Sequence, residues 1–120
     1  MSGEFPPQVQ NQLAQLQQLQ QQAQSVMTQK SQIEALLRET EAALKELEKS
    51  SEDAVIYKSV GELLFIAEKQ KLAEELKERK DMMDLRLKTI SKQEERIQGR
   101  FTQLQEQLKQ SLGQIPPKGG

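Results

Sequence analysis

The chain contains no cysteine, no histidine and no tryptophan, and each absence removes a class of chemistry. Without histidine and cysteine, the usual zinc sets, thiol nucleophiles, Ser-His-Asp triads and disulfides are unavailable. Lack of cysteine also suits a reducing cytosol. Aromatic residues make up only 3% and apolar residues 35% of the 120 positions, too few large side chains for a globular core with a substrate pocket. No apolar run approaches the roughly 20 residues of a membrane span. The opening Met1-Ser2-Gly3-Glu4-Phe5-Pro6-Pro7 has neither the basic region nor the apolar stretch of a signal peptide. Nor does one sign of charge dominate: 17 Lys and Arg stand against 18 Asp and Glu, for a net charge of −1. The two signs alternate, whereas a nucleic-acid binder usually carries a basic stripe. The expectations are no enzyme activity, no catalytic residue, no metal, no cofactor, no nucleic-acid or membrane partner, and a cytoplasmic location.

What the sequence does have is periodicity. From Val9 to Leu47 the apolar residues keep a seven-residue beat. With position a at Val9, Leu16, Ala23, Lys30, Leu37 and Leu44, position d falls on Gln12, Leu19, Val26, Ile33, Thr40 and Leu47. Only Gln12, Lys30 and Thr40 interrupt the pattern, which specifies a coiled-coil helix. The second segment places a at Ala73, Lys80, Leu87, Glu94, Phe101, Leu108 and Ile115, and d at Leu76, Met83, Ile90, Ile97, Leu104 and Ser111. Acid-first pairs four residues apart, such as Glu34/Arg38 and Glu75/Arg79, support exposed helix faces. Pro6-Pro7 precedes the first helix and Pro116-Pro117 ends the second.

Between the helices the period changes. Ser50-Ser51-Glu52-Asp53 breaks the heptads and Ala54-Val55-Ile56-Tyr57-Lys58 follows. Next come Ser59-Val60-Gly61-Glu62 and Leu63-Leu64-Phe65-Ile66. Two β-branched or aromatic runs around a glycine-containing turn predict a β-hairpin, because β-branched residues disfavour helix and glycine fits the turn. The approach to the second helix, Ala67-Glu68-Lys69, has no Ser, Thr or Asp to cap it. The expected organisation is a flexible N-terminus (1–7), a first coiled-coil helix (8–49) and a connector with the hairpin (50–67). A second coiled-coil helix (68–114) and a flexible tail (115–120) complete it.

In an antiparallel pair, a faces d of the partner helix. Layers mirrored about Val60 match Leu47 with Ala73, Leu44 with Leu76, Leu37 with Met83, Leu19 with Phe101 and Leu16 with Leu104. Polar Thr40 then lies opposite polar Lys80, and the charged a residues Lys30 and Glu94 fall in neighbouring layers. This pair is expected to fix the register, a role attested for polar a residues. A register displaced by one heptad also brings the two charges close, but it sets Lys80 against Leu47.

A lone two-stranded hairpin is marginal in water. Val55, Ile56, Tyr57, Val60, Leu63, Leu64, Phe65 and Ile66 around Gly61 exceed what capping a helix pair requires. These residues are therefore expected to be oligomerisation residues, with hairpins from several subunits sharing one sheet or barrel. At the other end of the helical pair gather Phe5, Val9, Leu13, Leu16, Leu108, Leu112 and Ile115. Leu16 and Leu108 suit ordinary core, while Phe5, Leu13, Leu112 and Ile115 suit partial exposure, an apolar fringe that can hold other apolar chains.

Three stretches carry a family resemblance: PPQVQNQLAQLQQLQQQ, DAVIYKSVGELL and LKERKDMMDLRLKTISKQEERI. Together they resemble the archaeal prefoldin beta-type family from about Pro6 to Leu112, with Tyr57, Lys58 and Gly61 of the connector as the specific part. The resemblance implies a mainly α subunit, a long antiparallel two-helix coiled coil whose β-hairpin enters an intersubunit β-barrel. It implies a hexamer of two alpha-type and four beta-type subunits that captures non-native client proteins at its coiled-coil tips. Capture needs no ATP, and the client passes to a group II chaperonin. On that basis the apolar fringe from Phe5 to Ile115 is client-binding. The rival reading is a structural coiled coil that tethers or dimerises, which needs no apolar hairpin; a nucleic-acid-binding helical hairpin comes third, disfavoured by charge.

Overall fold

The computed structural model describes residues 5–114. Four elements follow one another: α1 (Pro7–Lys49), β1 (Ile56–Val60), β2 (Leu63–Ala67) and α2 (Lys69–Gly113). Two long helices are thus joined by a two-stranded antiparallel hairpin, the mainly helical class that the heptads specify.

Helix α1 opens with Pro7 at its first position, where a missing N–H costs nothing and the fixed φ is already helical. The Gln10 N–H donates to the Pro6 carbonyl at 3.0 Å, and Gln10 Nε2 donates to the Phe5 carbonyl at 3.0 Å. At the other end the Ser50 N–H is shared between the Glu46 and Leu47 carbonyls, and its hydroxyl donates to Leu47 at 2.6 Å. These bonds satisfy carbonyls that the end of a helix leaves without partners.

The chain forms two compact units. One spans Lys30–Thr89 and holds the end of α1, the hairpin and the start of α2. Its buried residues are Thr40, Leu44, Leu47 and Met83, with Ile33, Leu37, Ala73, Leu76 and Leu87 half-buried. All are a or d positions, so the seven-residue beat is a burial beat. A shallow groove beside the seam is lined by Leu36, Thr40 and Ala43 of α1 with Leu76 and Met83 of α2. The groove brings residues 36–43 of α1 together with residues 76–86 of α2. Thr40 is a polar residue in an apolar seam, and its hydroxyl donates to the Leu36 carbonyl at 2.8 Å. The burial cost is met within its own helix.

The other unit combines α1 up to Gln29 with α2 from Ile90 onward. Val9, Leu19, Ile90 and Leu104 are buried, and Leu16, Val26, Ile97, Phe101 and Leu108 are half-buried. Ala23 occupies an a position yet is exposed. Its single methyl does not span the interhelical gap, and a groove opens there between Gln20, Ala23, Ile97 and Phe101. Gln12 is buried at a d position, and its Oε1 has no hydrogen-bond partner among the described residues.

Candidate assembly and client-binding surfaces

The hairpin pairs Ile56 with Ala67, Tyr57 with Ile66, Lys58 with Phe65, Ser59 with Leu64 and Val60 with Leu63. Only Gly61 and Glu62 remain for the loop, so the strands run closer to the turn than the sequence suggested. Gly61 has φ +60°, and Glu62 keeps a negative φ, the signs of a type II′ turn with glycine first. That turn matches the natural twist of the strands, and glycine is the residue that enters it without strain.

Opposed residues in a hairpin share a face. Ile56, Lys58, Val60 and their partners Ala67, Phe65 and Leu63 therefore make one face; Tyr57, Ser59, Leu64 and Ile66 make the other. On the first face Ile56, Lys58 and Ala67 are half-buried. On the second, Leu64 is 68% and Ile66 76% exposed, and Tyr57 is exposed with them. Val60, Leu63 and Phe65 near the turn are exposed as well, and Val55, just before β1, is exposed in the loop. Among the described residues neither strand has a second neighbour. The hairpin thus shows water an apolar surface with two open edges, a combination isolated proteins avoid.

Polar ties hold the base of this hairpin. Lys58 Nζ donates to Glu75 Oε1 at 2.6 Å, joining β1 to the second turn of α2. Arg79 Nη2 reaches the same oxygen at 3.5 Å. The Lys58 hydrogen bond holds the Glu75 carboxyl below the usual glutamate range, opposed by some desolvation and helped by the charges of Lys58 and Arg79. Lys69, the first residue of α2, donates from Nζ to the Ser50 carbonyl at 2.7 Å and lies 3.6 Å from Glu52. A cation thereby sits at the C-terminus of α1, where the helix dipole favours it. Glu68 stands at the N-cap position of α2, its carbonyl accepting the helix's first bond from the Leu72 N–H at 3.0 Å.

The predicted client-binding residues separate into three groups. Phe5, Leu13 and Leu112 are exposed, Leu16 and Leu108 are half-buried, and Val9 is 1% exposed. Val9 is therefore core and offers no exposed surface. Ile115 lies outside the described residues. Lys30 and Glu94, the residues expected to fix the register, are half-buried, Lys30 in the unit with the hairpin and Glu94 in the other.

Sequence reasoning passed over Leu36, Met82 and Leu85, all exposed in the unit that holds the hairpin. Leu36 and Met82 line the groove beside the seam, with Arg79 and Arg86 on its rim. These apolar residues stand off the a and d positions, outside the heptad pattern.

Among the described residues no helix is long and apolar enough to cross a membrane, and no acidic cluster could hold a metal ion. Paired helices with an uncovered apolar β-hairpin define a class: a helical coiled-coil protein that carries an open two-stranded sheet. A family model described as prefoldin subunit matches residues 10–115. The prefoldin subunit beta of Methanothrix thermoacetophila is 70% identical over 120 residues, all of both chains. The protein of that name from Methanococcoides burtonii is 58% identical over 113 residues, 94% of this chain and 97% of the other. The crystal structure of the prefoldin beta subunit from Thermococcus strain KS-1 superposes with a TM-score of 0.84 at 38% identity, covering 95% and 98% of the two chains. The chain belongs to the prefoldin family of chaperone subunits, in its beta-type branch. Membership implies assembly with other prefoldin subunits.

Proposed function

We propose that the chain is an ATP-independent holdase subunit that captures non-native proteins at the terminal ends of α1 and α2 and passes them to a group II chaperonin. The observation that carries this reading is the coexistence of two uncovered apolar surfaces. The exposed hairpin residues Val55, Tyr57, Val60, Leu63, Leu64, Phe65 and Ile66, with half-buried Ile56 beside them, suit assembly, and Phe5, Leu13 and Leu112 suit weak capture. A tether would need neither. Assembly takes place with an alpha-type prefoldin subunit in a hexamer of two alpha and four beta chains, in the cytoplasm and without a cofactor. The register role of Lys30 and Glu94 rests on layer arithmetic alone; a double-mutant cycle without coupling would remove it.

The test is light scattering of a chemically denatured protein diluted into buffer without ATP. The chain mixed with an alpha-type subunit is expected to suppress aggregation in proportion to its concentration. Aggregation that proceeds as in buffer, with and without the alpha-type subunit, would sink the holdase reading.

A further inference from the structure

The hairpin joins the two helices very unequally. On the β1 side six residues, 50–55, separate α1 from Ile56, whereas β2 ends at Ala67 and α2 begins at Lys69. Glu68 alone links strand to helix, so the tilt of the hairpin turns on the backbone of one residue. Lys58 stands on the strand that is not joined to α2, and its partner Glu75 lies six residues into that helix. This contact therefore spans the hinge from the free strand to the helix. The helix side of the hinge is itself fixed, because Lys69 is bonded to the Ser50 carbonyl.

We propose that Lys58 and Glu75 form a strut that sets the tilt of the hairpin on α2 and so positions it for pairing with neighbouring subunits. The inference rests on the assembly reading given above. Lys58 lies on the face with half-buried Ile56 and Ala67, so the strut turns that face toward α2 and the Tyr57, Leu64 and Ile66 face outward. Both side chains are partly open to water, 36% for Lys58 and 40% for Glu75, and an exposed pair adds little to the stability of one chain. Its effect lies in orientation. Several hairpins must meet at once, and each freely tilting hairpin loses conformational freedom when they do. Arg79, on the same helix, approaches Glu75 more distantly and does not replace a tie from the strand.

The absence of cysteine makes the tilt measurable with two introduced spin labels, at Glu62→Cys on the turn and Glu78→Cys on α2. In labelled full-length chain diluted into unlabelled chain, the distance distribution is expected to broaden with Lys58→Met or Glu75→Gln. It is expected to narrow again in the charge-exchanged pair Lys58→Glu with Glu75→Lys. Sedimentation velocity of the same variants, alone and with an alpha-type subunit, is expected to need several-fold more protein for assembly in the single variants, with recovery in the exchanged pair. Unchanged distance widths, or single variants that assemble like the parent, would overturn the strut. A parent chain that never leaves its single-chain mass would instead overturn the assembly reading itself.

Discussion

Val9 and Leu13 stand one helical turn apart at the start of α1, yet Val9 is buried and Leu13 exposed. The a position faces the partner helix and the e position flanks the seam, so the same apolar character has two different consequences. Replacing Val9 by alanine is expected to cost about 1–2 kcal/mol in denaturant unfolding, through lost burial and the cavity left behind. Replacing Leu13 and Leu112 by serine is expected to change stability by no more than about 0.5 kcal/mol each, while aggregation suppression falls clearly. Equal losses of stability and capture in the serine variants would show that these residues are core. At Glu75 the lowered carboxyl pKa makes a prediction about pH. A carboxylate whose pKa is depressed by folding contributes stability that is fully present above its unfolded pKa of about 4.3 and lost as pH falls through the lower folded value. The pair is exposed, so that contribution is small, and the carboxyl itself is the readout: followed by NMR, Glu75 is expected to titrate below the ordinary glutamate range in the parent and to move back towards it with Lys58→Met. A Glu75 titration unmoved by Lys58→Met would mean that the Lys58 contact does not persist in solution.

At the scale of elements, the heptads of α1 and α2 were legible, because the a and d positions of a paired helix recur on its buried face, with exposed Ala23 as an exception. The hairpin was legible from β-branched residues around Gly61, although its turn is tighter than the sequence implied. Glycine at φ +60° explains why the turn closes in two residues. Gly61→Val is expected to destabilise the hairpin by about 1–2 kcal/mol, the cost of a left-handed backbone for a side-chain-bearing residue. Faster amide exchange across β1 and β2 would register that change, and exchange unaltered from the parent would contradict it. The ties of Lys58 and Lys69 were not legible. They join residues 17 and 19 positions apart, and no local pattern reports a contact of that kind. Lys69→Met is expected to fray the last turn of α1 by about 0.3–1 kcal/mol, the usual worth of a cation at a helix C-terminus. Faster exchange at Ser50 would be the readout, and slow exchange there would mean that Ser50 holds the turn alone.

At the scale of the molecule, each of the two units has its own helical seam, and the sheet is left open. The seams bury apolar residues, whereas both edges of the hairpin, the Tyr57, Leu64 and Ile66 face and the turn end of the other face meet water. That imbalance was legible as a surplus of apolar residues between the helices. Which hairpin residues share a face was not, since a shift of one residue in register exchanges the two faces. The groove with Leu36 and Met82 escaped notice because scattered apolar residues on a polar helix carry little signal singly. The central claim is that this hairpin exists to be covered by other subunits. Sedimentation velocity of the full chain with an alpha-type subunit tests it most directly, beside the Ile56→Ser, Leu64→Ser and Phe65→Ser triple variant. The parent is expected to sediment as a defined multi-chain complex, and the variant at single-chain mass with its helical circular dichroism retained. A parent that stays at single-chain mass, or a variant that assembles as the parent does, would contradict the account.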